Sequence, residues 1–111
     1  MSEAKLQSKI FQFTWNNHPN TRGLIFHVPN GGFRKKREAN TLKATGVIAG
    51  IPDLLFIWKG TLHAFELKAQ SGRVSASQLV IHEKWKEHRI ETHIIRSMDQ
   101  FKTVFNEIIK N

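Results

Sequence analysis

Two apolar runs, Leu54-Leu55-Phe56-Ile57-Trp58 and Thr61 to Lys68, are separated only by Lys59-Gly60. This closeness constrains the fold more than any other feature of the chain. A two-residue connection brings the second run back antiparallel to the first, as a hairpin. With Lys59 and Gly60 as the central turn residues, cross-strand partners are the pairs whose numbers add to 119. Apolar residues at consecutive positions in the first run, and at Leu62, Ala64, Phe65 and Leu67 in the second, predict strands covered on both faces.

The same register carries the chemistry. Asp53 and Glu66 also add to 119, so the two carboxylates face each other across the end of the hairpin. Directly opposed residues lie about 4.5–5.5 Å apart at Cα, and like charges there destabilise a sheet. Glu66 and Lys68 are two apart and project from one face, while Leu67 between them points into the core. Asp53, Glu66 and Lys68 therefore converge. Two hard oxygen ligands suit Mg²⁺ or Mn²⁺, which is typically held by one or two carboxylates together with waters and a phosphate. Such an ion neutralises phosphate oxygens and lowers the pKa of water, and a neighbouring lysine can orient or deprotonate the attacking water; together these describe phosphodiester hydrolysis. The alternative is a structural ion network in which Lys68 pairs with both carboxylates.

Around the hairpin, Leu6, Ile10 and Phe13 recur at helical spacing between Ser2 and Asn16, and His18-Pro19 closes that helix. Leu24 to Val28 reads as a strand ending at Pro29, with a turn at Asn30-Gly31-Gly32. Residues 34–45 read as a short exposed helix or an ordered loop, and 46–52 as a loop. Ser75 opens a helix to about His88 with Leu79, Val80 and Trp85 as its apolar residues, and Trp58 and Trp85 are expected in the core. Thr92 to Ile95 is a fourth strand. Ser97 caps a last helix through Ile109 whose apolar face is Phe101, Val104, Phe105 and Ile108. The order is αβ(α)ββαβα, an α/β fold with a central mixed sheet flanked by helices. At 111 residues the expectation is a single domain, 1–111, burying roughly 60–70% of the unfolded surface.

The net charge of +8 is unevenly placed. Residues 22–43 hold Arg22, Arg34, Lys35, Lys36, Arg37 and Lys43 against Glu38, a net +5, while each other stretch is nearly balanced. That cluster is the footprint of a polyanion-binding face, or else a solvated helix surface. The absence of cysteine excludes disulfides, thiolate zinc sites and cysteine nucleophiles. No membrane-length apolar run is present, and Met1 to Ile10 lacks the apolar core of a signal peptide. A cytoplasmic protein without a membrane partner is expected. The six histidines show no metal-ligand spacing and read as surface or satisfied core residues.

Ile51-Pro52-Asp53, followed thirteen residues after Asp53 by Glu66-Leu67-Lys68, resembles the PD-(D/E)XK nuclease signature. The surroundings resemble its VRR-NUC branch in stand-alone, minimal form: Glu3 and Gln7, Asn30-Gly31-Gly32, Gly46 and Gly50 before the Asp, and Gly72 with Ser75-x-x-Gln78 after the Lys. The family's usual glycine after the following helix is missing beyond Arg89, where the chain runs on into Ile90-Glu91-Thr92. The resemblance implies a restriction-endonuclease-like core in which Asp53, Glu66 and the Leu67 carbonyl bind the metal, with Glu3 a further acidic ligand. Lys68 would be the catalytic lysine and Gln78 an active-site glutamine. Gln78 is also placed to close a capping box with Ser75, and Glu3 also suits a helix dipole. Asn30, Arg34, Lys35, Lys36, Arg37 and Arg73 would contact DNA, with strong salt dependence and little base reading.

The resemblance further implies a homodimeric endonuclease acting on branched DNA such as four-way junctions. It implies no small-molecule cofactor, and a bacterial or phage origin. A non-catalytic nucleic-acid-binding module and a general or restriction-type nicking nuclease are the rival readings.

Overall fold

The computed structural model of the chain describes residues 1–29, 40, 41 and 43–111. Helix α1 (Glu3–Asn17) is followed by a 3-10 turn at Pro19–Thr21 and strand β1 (Ile25–His27). The hairpin strands are β2 (Leu54–Trp58) and β3 (Thr61–Leu67), followed by α2 (Ala76–Glu87), β4 (Thr92–Ile95) and α3 (Met98–Lys110). The strands form a mixed sheet in the order β1-β2-β3-β4, antiparallel except for the parallel pair β3-β4. This is the expected α/β architecture. The bracketed helix or loop at 34–45 lies mostly outside the described residues.

The hairpin adopts the expected register, from Leu54 opposite Phe65 to Trp58 opposite Thr61. Its turn works because both central residues take positive φ, Lys59 at 48° and Gly60 at 80°, which matches the right-handed twist of the flanking strands. Helix boundaries follow their caps: the hydroxyls of Ser2, Ser75 and Ser97 each accept from the amide three residues on, those of Lys5, Gln78 and Gln100. Each bond satisfies one donor that a helix start leaves unpaired.

One face of the sheet carries the core. Ile25, Leu54, Phe56, Phe65, Leu67 and Ile95 pack with Leu6 and Ile10 of α1 and with Phe101 and Phe105 of α3. Phe105 stacks on Phe101 at 5.3 Å between ring centroids and lies 5.2 Å from Phe56, the spacing at which aromatic pairs gain beyond their buried area. The last helix thus presents the face its sequence pattern predicts.

The opposite face corrects the sequence reading. Ile57 is 43% exposed and Leu55 only half-buried, so β2 is not covered on both sides. Leu79 and Val80 of α2 are exposed, no residue of α2 is buried, and Trp85 is half-buried outside the core cluster. Consecutive apolar residues were ambiguous between a buried strand and a one-sided one, and the half-buried side of α2 mixes Gln78 and His82 with Ile81 and Trp85. Trp58 does pack on the core. Among the described residues no helix is long and apolar enough to cross a membrane.

Phe105→Ala removes the ring shared by α3, α1 and β2 and is expected to cost about 3–5 kcal/mol, read as a lowered urea midpoint at unchanged slope.

Candidate functional site

The site forms where the β2-β3 ladder ends. Leu54 opposite Phe65 is the last pair, and one residue further out a side chain takes over from the backbone: Asp53 Oδ2 accepts the Leu67 amide at 2.8 Å. The Asp53 carbonyl meanwhile accepts from the Val28 amide at 3.1 Å and contacts His27 Nδ1 at 2.8 Å. Asp53 is therefore held from both neighbouring strands, directly behind the buried Pro52.

Glu66 lies on the face of β3 opposite the aromatic core and is 1% exposed. Burial, then hydrogen bonding and charge repulsion from Asp53, push its pKa up to about 9; the Lys68 ammonium opposes this and Glu3 adds to it. The expected convergence of Asp53, Glu66 and Lys68 is present. Lys68 is itself buried, at 7% exposure, yet among the described residues no ion pair joins it to a carboxylate. The structural ion network considered above does not form. Glu3 reaches the site from the first turn of α1, its Oε2 accepting the Ala69 amide at 3.3 Å.

Gln78 performs two tasks with one amide group. Its Oε1 accepts the Ser75 amide at 2.8 Å, closing the capping box, and its Nε2 donates to Glu66 Oε2 at 3.1 Å. A glutamate could close the box equally well but would set a third carboxylate against Glu66, so the chemistry of the site explains the amide. Helix α2 is brought this close by Gly50. At φ +89°, a Cβ on Gly50 would lie 2.5 Å from the Ser77 carbonyl oxygen, nearer than packed atoms approach.

Two contributors escaped the sequence reading. His82 Nε2 lies 3.4 Å from Glu66 Oε1, and burial, followed by the Lys68 ammonium, lowers its pKa below the ordinary histidine range. The signal was its position one turn after Gln78, on the same helix face. Arg96 donates through Nη1 to the carbonyls of Ala69 and Gly72, at 2.9 and 2.6 Å, and so fixes the loop that follows Lys68. No local pattern marks Arg96, because its partners are 24 and 27 residues away.

Of the predicted nucleic-acid contacts, Arg73 is exposed on the segment between that loop and α2. Asn30, Arg34, Lys35, Lys36 and Arg37, with Gly31 and Gly32, lie outside the described residues. An open groove of about 510 Å³ lies between α1 and the β1-β2 edge of the sheet, lined by Gln7, Phe11, Phe26, His27 and Leu54.

Among the described residues no three His, Cys, Asp or Glu side chains gather as a metal cage. What is present is a facing carboxylate pair, Asp53 and Glu66, with the Leu67 main chain between Glu66 and Lys68. That donor set is sparse and all-oxygen, and it fits an ion that keeps most of its waters rather than a closed site.

No protein-family model matches the sequence, and no curated protein matches it. A solved structure described as "VRR_NUC domain protein" superposes with a TM-score of 0.82 at 21% identity, covering 99% of this chain and 89% of that one. The chain therefore has the fold of that protein, which is the fold the sequence resemblance implied.

Gly50→Ala forces both the strained φ and the Ser77 contact, and is expected to destabilise by about 1–3 kcal/mol, measured by thermal melting. Glu66 adds a pH dependence of known sign. Between its unfolded value near 4.5 and its folded value of about 9, the folded state binds more protons than the unfolded, so its contribution to stability falls as pH rises through that window. Glu66→Gln is expected to remove this decline, seen as a flatter profile of melting temperature against pH in metal-free buffer.

Proposed function

We propose that this chain is a metal-dependent endodeoxyribonuclease that hydrolyses phosphodiester bonds. The observation that carries the reading is the arrangement of Asp53, Glu66 and Lys68: two carboxylates forced together with a buried lysine that pairs with neither. A structural cluster would pair its charges directly, whereas here a carboxyl whose pKa is pushed up by burial and by Asp53 lies beside a buried cation that pairs with neither acid. The fold shared with a VRR_NUC domain protein supports the same assignment.

Asp53 and Glu66 would hold Mg²⁺ or Mn²⁺, with the Leu67 carbonyl as a further oxygen donor and Glu3, held on the Ala69 amide, as an acidic neighbour that would reach the ion through one of its waters. When bound, the ion neutralises the nonbridging phosphate oxygens and acidifies the attacking water. Lys68 sets its ammonium against the same phosphate, holding the water in line and stabilising the charge that develops as the water oxygen bonds to phosphorus and the leaving oxygen departs. Gln78 holds Glu66 in place from α2. The net charge of +8 draws the polyanion in, and Arg73 with the basic stretch Arg34 to Arg37 and Asn30 would grip its backbone without reading bases.

The substrate proposed is branched DNA, with a four-way junction as the leading case. One small site per chain cuts one strand, so symmetric cleavage of two strands calls for a two-fold pair of chains.

Asp53→Asn and Lys68→Ala are each expected to abolish Mg²⁺- or Mn²⁺-dependent cutting while leaving binding to labelled four-way junctions within about twofold, since phosphate contacts elsewhere supply the affinity. Cutting of no DNA form with either ion would overturn the enzyme reading, and equal cutting of junctions, flaps and linear duplex would overturn the junction preference. A sedimentation mass corresponding to one 12.8 kDa chain on and off the junction would remove the dimer.

A further inference from the structure

The reaction outlined above makes no use of His82. It sits four residues after Gln78 on α2, so both side chains leave the helix on one face and both end on the same carboxyl group. Gln78 Nε2 is 3.1 Å from Oε2 of Glu66, and His82 Nε2 is 3.4 Å from Oε1. The surroundings are nearly dry, with the His82 side chain 12% exposed and that of Glu66 1%. Water therefore competes little for either oxygen, and a hydrogen bond made there carries more weight than one at the surface. No residue of α2 is fully buried, and Gln78 and His82 lie on its half-buried side together with Ile81 and Trp85.

A carboxylate has about four lone-pair directions. Gln78 takes one direction on one oxygen and His82 one on the other, and Asp53 bonds the same group, so its plane is held against rotation about its terminal bond. A metal ligand fixed in this way loses less freedom on binding an ion, and donors of this kind beside metal-ligating carboxylates typically alter affinity by about 10–100-fold.

We propose that His82 is a positioning residue for the divalent-cation site: together with Gln78 it clamps the Glu66 carboxylate by both oxygens and thereby sets how tightly the chain holds the ion. The inference rests on the metal-dependent reading above. It gives α2 a defined part in that site, with the Gln78 amide and, in its Nε2–H tautomer, the His82 imidazole one helical turn apart and matched to the two oxygens of one acceptor.

The test is Mn²⁺ titration of the full chain without DNA, following the free ion by electron paramagnetic resonance, with thermal melting of each variant alongside. His82→Leu keeps the bulk but cannot donate, and is expected to weaken Mn²⁺ binding about tenfold or more with little change in the metal-free melt. His82→Gln carries an amide nitrogen that reaches the same oxygen, and is expected to restore affinity close to wild type. Equal affinity in His82→Leu and wild type overturns the proposal. A loss in His82→Gln as large as in His82→Leu also overturns it, because ring packing and not donation would then be the cause. Should His82→Leu not fold, His82→Asn, whose amide falls short of the oxygen, supplies the same contrast with His82→Gln. Wild type that takes up no Mn²⁺ overturns the metal-dependent reading and this inference with it, which separates the two failures.

Discussion

A carboxyl group removed from water beside a second carboxylate is costly unless something holds it, and the placement of Glu66 next to Asp53 is the cost around which this molecule is arranged. The hairpin register puts the two acids opposite one another. Because the ladder stops at Leu54 and Phe65, Asp53 can spend its carboxylate on the Leu67 amide. Helix α2 supplies Gln78 and His82 to Glu66, and Lys68 adds its charge from the same face of the strand. Each part restrains a group that an unmodified sheet would expel to solvent.

The surrounding structure makes that restraint possible. On one side of the sheet α1 and α3 bury an aromatic core around Phe101 and Phe105, and this supplies the rigidity. On the other side α2 meets Glu66 through Gln78 and His82, approaches Gly50 through Ser77, and half-buries Ile81 and Trp85. Arg96 ties the loop after Lys68 to the strand that follows α2. Apolar burial thus stabilises one face, and the second face is left to chemistry, which accounts for the exposure of Leu79 and Val80 on a helix that is nonetheless well placed.

Much of this was readable from the residues. The order of elements, the hairpin register and the grouping of Asp53, Glu66 and Lys68 follow from a two-residue turn and the two-residue period of a strand, both of which are local rules. The expectation that Gln78 caps α2 or serves the site resolves as both, because the two ends of one amide point to different partners. Misreadings arose where local pattern is silent. Leu79, Val80 and Trp85 look like a buried stripe by composition, yet the half-buried side of the helix is Gln78, Ile81, His82 and Trp85, a rotation that brings Gln78 and His82 onto Glu66 and leaves Leu79 and Val80 exposed. His82 carries no meaning until Glu66 is known to lie against it, and Arg96 acts on carbonyls distant in sequence.

The divided amide of Gln78 has a kinetic corollary. The first turn of α2 and the restraint on Glu66 depend on the same side chain, so the end of the helix cannot fray without releasing the carboxyl group. Helix ends are among the first parts of a folded protein to open, and such an opening would dismantle the site while β2, β3 and the aromatic core stayed intact. Site integrity then tracks a sub-global opening of a single helical turn rather than the unfolding of the whole chain. Amide exchange at Gln78 and Leu79 would register the lifetime of the assembled site, even in a molecule whose sheet exchanges orders of magnitude more slowly.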